Sequence, residues 1–212
     1  LLTPNYPITG IQPMSQSMKV LYALGLILLF VAGLMLAKYN PWTEQNNANL
    51  GYANLGGDFI LESSDGPVKL QDFRGQMVLM YFGFTSCPEV CPTALSSMAA
   101  SMRQLTPSQE AQIQPLFVSV DPERDSLDNL AKYSRYFHPR MLGLTGDIKT
   151  LDQLVKNYGA YYSYIPLENS ALAYTVDHTS RVYLIGRKGE LISTIAHNTS
   201  VDDIAALVKQ HF

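Results

Sequence analysis

The sequence predicts an α/β fold of three layers, with a sheet between helices, preceded by a single N-terminal transmembrane helix. Short apolar runs alternate with amphipathic segments along residues 55–212, which is typical of strands and helices that follow one another in a parallel sheet. A hairpin and an amphipathic helix close the chain. One long uncharged stretch, VLYALGLILLFVAGLMLA, lies near its beginning and predicts the membrane helix.

This apolar stretch runs from Val20 to Ala37 and has one lysine at each end. A cleaved signal peptide has an apolar core of about 7–15 residues followed by a small-residue cleavage site, and this stretch fits neither feature. A buried helix that is apolar all round would need a larger protein around it. We therefore expect a transmembrane anchor at 19–38 after a flexible tail at 1–18. Its orientation is undecided, because the lysines are balanced.

A polar tether is expected at 39–54, followed by one domain at 55–212, which is the usual size of a single domain. The formal net charge is -3 and no basic cluster is present, which argues against nucleic acid as a partner. The two cysteines of the chain lie four residues apart, so a disulfide between them would close a small loop and stabilise little. They are therefore candidates for chemistry.

Each predicted element of the domain follows from a local pattern. Two short strand candidates on either side of a Ser-Ser-Asp-Gly-Pro turn predict an opening hairpin, and a nearly continuous apolar run predicts a central strand that is buried on both faces. Helices are predicted where Pro, Ser or Asp opens an amphipathic segment. In chain order we predict strands at 59–61, 68–70 and 77–84, a helix from 92 to about 105, a strand at 113–120, helices at 126–136 and 147–158, strands at 181–185 and 191–195, and a helix at 201–210.

The cysteines lie in Cys87-Pro88-Glu89-Val90-Cys91, between the predicted central strand and the next helix. This is the carboxyl edge of a parallel sheet, where such folds place their ligands. Cys91 lies at the N-terminus of the helix, whose free N–H groups and dipole favour a thiolate. Two sulfurs one turn apart can form a disulfide, attack one, or hold a soft metal ion. The pair alone leaves redox chemistry, metal binding and an idle pair open.

A third ligand would have to come from one of four histidines. His138 follows a predicted helix, where a cap or surface role is expected, while His197 follows a strand and His211 nearly ends the chain. His178 lies in a polar loop beside Asp177, a carboxylate that would fix its ring or tune its basicity. A lone loop histidine is more often solvated, so spacing does not assign it.

Three ordered motifs resemble the Sco/SenC family of membrane-anchored copper proteins, which have a thioredoxin-like fold. They are Gly83-Phe84-Thr85-Ser86-Cys87-Pro88-Glu89-Val90-Cys91-Pro92, Ser119-Val120-Asp121-Pro122-Glu123-Arg124-Asp125, and Asp177-His178-Thr179. The resemblance spans nearly the whole domain and the anchor. Asp121 and Asp125 match an acidic motif that otherwise reads as a helix cap and turn. Glu89 stands where aspartate is frequent in the family, and Thr179 where serine is frequent.

The resemblance implies that Cys87, Cys91 and His178 bind copper, as Cu(I) or Cu(II), with Asp177 as a neighbour. It further implies a copper chaperone that takes copper from a donor protein and delivers it to the CuA domain of cytochrome c oxidase subunit II. The expected location is the bacterial inner membrane with the domain in the periplasm, or alternatively the mitochondrial inner membrane facing the intermembrane space.

Because members of that family differ in their task, two other functions stay open. The first is a thiol-disulfide oxidoreductase with Cys87 and Cys91 as its redox pair, which would reduce the cysteines of the CuA site or of other extracytoplasmic proteins. The spacing argues against it, since thioredoxin-type motifs have two residues between the cysteines and this chain has three. The second is a redox-regulated binding module without metal. Whether the chain is an enzyme is undecided at this point.

Overall fold

The structure is a computed structural model that describes residues 15–38, 52–168 and 170–212. Most of the predicted tail at 1–18 and of the predicted tether at 39–54 lies outside these residues. Two separate units are present, an N-terminal helix and a domain from Tyr52 onward, and each is described by itself.

The N-terminal helix α1 spans Gln16–Lys38 and begins three residues before the predicted anchor. Its first 18 residues, Gln16–Gly33, are long and apolar enough to cross a membrane, by length and composition alone. Large apolar side chains on all sides of the helix are exposed, among them Leu21, Leu28 and Phe30. An unburied helix of this composition fits a lipid environment better than water.

The domain contains the predicted elements together with three strands, at Leu142–Leu144, Tyr162–Pro166 and Tyr174–His178, and one short helix, at Pro107–Glu110, that were not predicted. The strands are β1 (Ile60–Ser63), β2 (Gly66–Lys69), β3 (Met77–Gly83), β4 (Ile113–Ser119), β5 (Leu142–Leu144), β6 (Tyr162–Pro166), β7 (Tyr174–His178), β8 (Arg181–Ile185) and β9 (Leu191–Ala196). The helices are α2 (Val90–Arg103), α3 (Pro107–Glu110), α4 (Leu127–Phe137), α5 (Ile148–Asn157) and α6 (Val201–Lys209), with 3-10 turns at Tyr52–Asn54 and Leu70–Phe73.

The main sheet has five strands in the order β5-β4-β3-β8-β9, so β3 is central as predicted. Strands β3, β4 and β5 are parallel, whereas β8 and β9 are antiparallel to their neighbours. Every residue of β3 is buried, which explains why its sequence is a continuous apolar run. The pairs β1–β2 and β6–β7 form two separate hairpins.

Helices cover both faces of this sheet and confirm the three-layer arrangement. On one face, Phe117 of β4 and Gly143 of β5 are register partners, and Gly143 lies against the backbone of Leu130 in α4. A side chain at Gly143 would collide with that helix. On the opposite face, Phe82 of β3 packs edge-to-face on Tyr158, the residue that ends α5.

Helices α3, α4, α5 and α6 each begin with a side-chain cap, which is Thr106 for α3, and α2 does not. The side chains of Ser126, Asp147 and Ser200 each accept a hydrogen bond from the backbone N–H three residues later, as is usual at helix N-termini. The residue before α2 is Glu89, and its side chain makes no such bond. The free N–H groups of α2 are therefore available to another acceptor, and α2 is the helix that carries Cys91.

Candidate metal centre

The sulfur of Cys87 takes the place of the missing cap on α2. Cys91 is the second residue of this helix, and its backbone N–H donates a hydrogen bond to Cys87 Sγ over 3.3 Å. The loop that follows β3 therefore folds back so that Cys87 sits at the positive end of the helix. That position favours a thiolate, because the helix dipole and the N–H groups stabilise negative charge. Both cysteines are free and buried.

His178 completes a group of three potential ligands. It is the last residue of β7, and its Nε2 lies 3.4 Å from Cys91 Sγ. The ligand atoms of Cys87, Cys91 and His178 all lie within 4.8 Å of one another. Among the residues that the structure describes, this is the one group of three or more such side chains with that convergence. Two sulfurs and an imidazole nitrogen are the donors that copper and zinc prefer.

The histidine ring is oriented by a backbone carbonyl. Its Nδ1 lies 3.3 Å from the carbonyl oxygen of Thr179. A carbonyl oxygen only accepts hydrogen bonds, so this contact places the ring proton on Nδ1 and leaves the Nε2 lone pair facing Cys91. The rings of Tyr81 and Phe84 stand edge-on to the imidazole, with centroids 6.0 and 5.8 Å away. The ring is thus held on several sides with its ligand atom turned toward the sulfurs.

Two sequence predictions about His178 are wrong. The segment is a strand, β7, paired with β6, and is no loop. Asp177 does not hold the imidazole, because successive residues of a strand point to opposite faces. Its carboxylate is exposed and accepts a hydrogen bond from the Tyr161 hydroxyl at 2.8 Å, while His178 is buried. The partner that orients the ring is the Thr179 carbonyl.

The thiolate of the metal-free pair is on Cys87, whereas the sequence predicted that the thiolate of Cys91 is favoured. A hydrogen bond from the Cys91 thiol is the largest cause that lowers the pKa of Cys87, to about 4, and backbone hydrogen bonds from Cys91 and Glu89 add to it. The same bond to Cys87, together with burial, raises the pKa of Cys91 above its usual value. The Phe84 peptide acts in the other direction, favouring a Cys91 thiolate. The metal-free pair therefore shares one proton, which lies on Cys91.

The pKa of Cys87 gives an expected pH profile for alkylation. Its reaction with iodoacetamide should change little in rate between about pH 5 and about pH 8, whereas a free cysteine, with a pKa of about 8.5, slows about tenfold per pH unit below it. Mass spectrometry of the reduced, metal-free chain measures the rate at each cysteine. Cys91→Ala removes the thiol donor, so it should make the rate at Cys87 rise with pH. A parent rate that climbs tenfold per unit would contradict this division of charge.

The other histidines lie apart from this group. His138 is the C-cap residue of α4, as predicted, but it is buried and has no surface role. Its Nε2 lies 3.0 Å from Glu110, and its Nδ1 accepts a hydrogen bond from the Arg140 N–H at 3.2 Å. His197 is exposed in the turn after β9.

Asp125 fixes the loop that carries the cysteines. Its carboxylate is buried and accepts hydrogen bonds from the Thr85 backbone N–H at 2.9 Å, from the Thr85 hydroxyl, and from the Ser119 hydroxyl at 2.5 Å. The helix cap is the next residue, Ser126. The expected cap-and-turn role therefore does not apply to Asp125, which instead ties the residues before Cys87 to the end of β4.

Asp121 fixes the strand that carries the histidine. Its buried carboxylate accepts hydrogen bonds from Arg124 Nε at 2.5 Å and from the Tyr174 hydroxyl at 2.8 Å. The Arg124 guanidinium also lies 3.8 Å from the centre of the Tyr174 ring and donates to the Tyr174 carbonyl oxygen. Tyr174 is the first residue of β7, which ends at His178. The acidic motif thus anchors both parts of the site.

Gly83 leaves the space in which the site is built. A Cβ atom at this residue would lie 2.8 Å from Cys91 Sγ and 2.9 Å from the Phe117 ring, closer than such atoms approach. Tyr81, Gly83 and Phe84 therefore belong to the site, and sequence reasoning gave them no role of their own. They lie in an apolar run, where their residue types are those of an ordinary buried strand. Only the bare glycine at the end of a strand pattern signals a close approach.

Comparison with known proteins shows where this chain belongs. The SCO1/SenC family profile matches residues 47–212. The chain is 40% identical over 171 residues to the Bos taurus relative "Protein SCO2 homolog, mitochondrial", covering 79% of this chain and 64% of the relative. It is 32% identical over 170 residues to the "SCO2-like protein" of Rickettsia felis, covering 80% and 82% of the two chains. The chain thus spans less than two thirds of the bovine relative's length.

A solved structure shows the same fold with a metal. The crystal structure of Arabidopsis thaliana ScoI with copper bound superposes with a TM-score of 0.68 at 34% sequence identity, covering 74% of this chain and 97% of the other.

Proposed function

The chain belongs to the SCO1/SenC family, and we propose that it is a membrane-anchored copper chaperone that supplies the CuA site of cytochrome c oxidase subunit II. Cys87, Cys91 and His178 would hold the copper ion. The observation that supports this most is the convergence of two sulfurs and one imidazole nitrogen within 4.8 Å, with Nε2 of His178 turned inward. A soft, sulfur-rich site of this kind suits Cu(I) and discriminates against Mg²⁺ and Ca²⁺.

Copper loading on this site requires both thiols in the reduced form. Binding releases the proton that Cys91 holds in the metal-free pair, since only thiolates are strong ligands. A disulfide between Cys87 and Cys91 would block copper loading, so the redox state of the pair decides whether copper can bind. Release to the client proceeds by ligand exchange, in which sulfurs of the acceptor replace those of this site one at a time.

The proposed location follows from the N-terminal helix and from the relatives. We propose that α1 anchors the chain in a bacterial inner membrane with the domain in the periplasm, the alternative being the mitochondrial inner membrane facing the intermembrane space. The relatives carry mitochondrial names or belong to Rickettsia. Protease added outside intact spheroplasts should digest the domain. Full protection of the domain would place it on the cytoplasmic side and contradict delivery to CuA.

A second candidate is a thiol-disulfide oxidoreductase that acts on the same client. The low pKa of Cys87 favours it, because a thiolate at neutral pH attacks disulfides readily. Replacing His178 distinguishes the two candidate functions. Thiol-disulfide exchange needs only the sulfurs, whereas copper binding needs the imidazole as well.

We expect His178→Ala to weaken copper binding by more than the roughly 10- to 100-fold that loss of an outer-shell partner costs. The visible spectrum of the Cu(II) form should change most, since Cu(II) prefers nitrogen-containing tetragonal sites. Disulfide formation between Cys87 and Cys91 should continue. The measurements are Cu(I) competition, the Cu(II) spectrum and thiol counting on the full chain in detergent, with oxidase assembly scored in a host that lacks its own copy.

His197→Ala is the matched control, because this histidine is exposed in the turn after β9. It should behave as the parent in every measurement. If His178→Ala supports oxidase assembly normally and keeps the parent's Cu(II) spectrum, copper delivery is the wrong function and the oxidoreductase is preferred.

A further inference from the structure

Tyr81 carries a buried hydroxyl that has no hydrogen-bond partner. The residue lies in the centre of β3 and is wholly shielded from solvent, and its buried hydroxyl makes no hydrogen bond of good geometry in the metal-free protein. Buried polar groups are paired in the great majority of cases, since an unpaired one destabilises the fold. Phenylalanine would fill the same space without that penalty. We therefore expect this hydroxyl to form a hydrogen bond in another state of the protein.

The hydroxyl belongs to the surroundings of the candidate metal centre. Tyr81 and Gly83 are two residues apart on one strand, so they face the same side of the sheet. The space left by the absent Gly83 side chain lies 2.8 Å from Cys91 Sγ and 3.2 Å from Tyr81 Cε1. The Tyr81 ring also meets His178 edge-on with centroids 6.0 Å apart. One tyrosine thus borders both the buried sulfur and the imidazole.

The need for a donor differs between the empty and the loaded site. In the metal-free protein the Cys91 sulfur has no exposed surface and lies 3.4 Å from His178 Nε2. A bound copper ion would be held by the thiolate form of Cys91, an anion in the same buried position. A buried anion is stabilised by hydrogen bonds to its charged form. The Tyr81 O–H is a free donor next to it.

We propose that Tyr81 is a positioning residue of the metal centre, whose hydroxyl donates a hydrogen bond to the Cys91 sulfur when copper is bound. This inference rests on the proposed copper-binding function and adds a residue to it. Neighbouring strands hold the ring in place, since Tyr81 is the register partner of Phe117 in β4 and of Val182 in β8. The donor is therefore fixed before the metal arrives.

The test is Tyr81→Phe in the full chain, purified in detergent and loaded with copper under anaerobic reducing conditions. The metal-free variant should unfold at the same or a higher temperature than the parent, because an unpaired buried hydroxyl has been removed. Its Cu(I) affinity should fall about 10-fold or more, as for other outer-shell partners of metal ligands. The sulfur-to-Cu(II) charge-transfer band should move to longer wavelength, since the sulfur loses a hydrogen bond that stabilises its electrons.

Tyr183→Phe is the matched control. Tyr183 is equally buried in β8, but its ring packs against Phe82 and Tyr158 on the other face of the sheet. It should leave copper affinity and the charge-transfer band unchanged. A parent that binds copper and a Tyr81→Phe variant with the same affinity and spectrum would overturn the inference alone. A parent that binds no copper would overturn the proposed function and, with it, this role for Tyr81.

Discussion

Replacing either Cys87 or Cys91 with serine is expected to weaken copper binding by two to three orders of magnitude. A serine hydroxyl keeps its proton at neutral pH and offers a hard oxygen, so one sulfur and one imidazole remain for a soft ion. Structural zinc sites with four ligands are worth about 10–16 kcal/mol, or about 2.5–4 kcal/mol for each ligand, and about 1.4 kcal/mol changes an affinity tenfold. Competition with a chromophoric Cu(I) chelator measures this on the reduced full chain.

The two replacements should differ in their effect on the fold. Cys91 has no exposed surface, so Cys91→Ser buries a hydroxyl among apolar neighbours at a cost of about 1–3 kcal/mol if it stays unpaired. Cys87 lies in the loop before α2, next to the exposed Ser86, and Cys87→Ser should cost less. Ser86→Ala is the matched control and should bind copper as the parent does. Parent-like affinity in either cysteine variant would exclude a site built on both sulfurs.

Much of the fold was predictable because the decisive patterns are local. The apolar run at Met77–Gly83 identified the central strand, and Ser126 and Asp147 marked the helix starts that they cap. Strand β7 escaped prediction for a physical reason. Its residues alternate between the buried face and solvent within a two-stranded hairpin, and the polar residues Thr175 and Asp177 made it resemble a loop.

The candidate site was predictable in its ligand residues and not in its electrostatics. The helix N-terminus was correctly expected at Cys91, and from that position we predicted that the Cys91 thiolate is favoured over that of a free cysteine. The folded loop instead brings the Cys87 sulfur to the backbone N–H of Cys91 at the start of α2. The pKa that is lowered is therefore that of Cys87. That reversal depends on how residues 84–90 turn, which the spacing of the cysteines does not encode. Asp177 failed as a partner of His178 for a similar reason, because strand geometry turned it outward.

Asp125→Ala is expected to lower the thermal midpoint of the domain by about 6–12 °C. The variant leaves the Thr85 backbone N–H, the Thr85 hydroxyl and the Ser119 hydroxyl without their acceptor. Each unpaired buried donor costs about 1–3 kcal/mol, so the low end for three donors is about 3 kcal/mol. In a domain of about 150–250 residues, 1 kcal/mol corresponds to roughly 2–4 °C. Thermal unfolding of the metal-free chain, followed by circular dichroism, measures the shift.

The same variant should loosen copper binding even where the domain is folded. Thr85 lies two residues before Cys87, so a released Thr85 frees the loop that positions this sulfur. Asp125→Asn keeps one oxygen acceptor and should show a smaller loss of both stability and affinity. Asp128→Ala, on the exposed face of α4, removes an equal charge from the same region and should change the midpoint by no more than about 4 °C. If Asp125→Ala shifts the midpoint no further than this control does, the cysteine loop keeps its shape without the carboxylate, and the acidic motif would need another explanation.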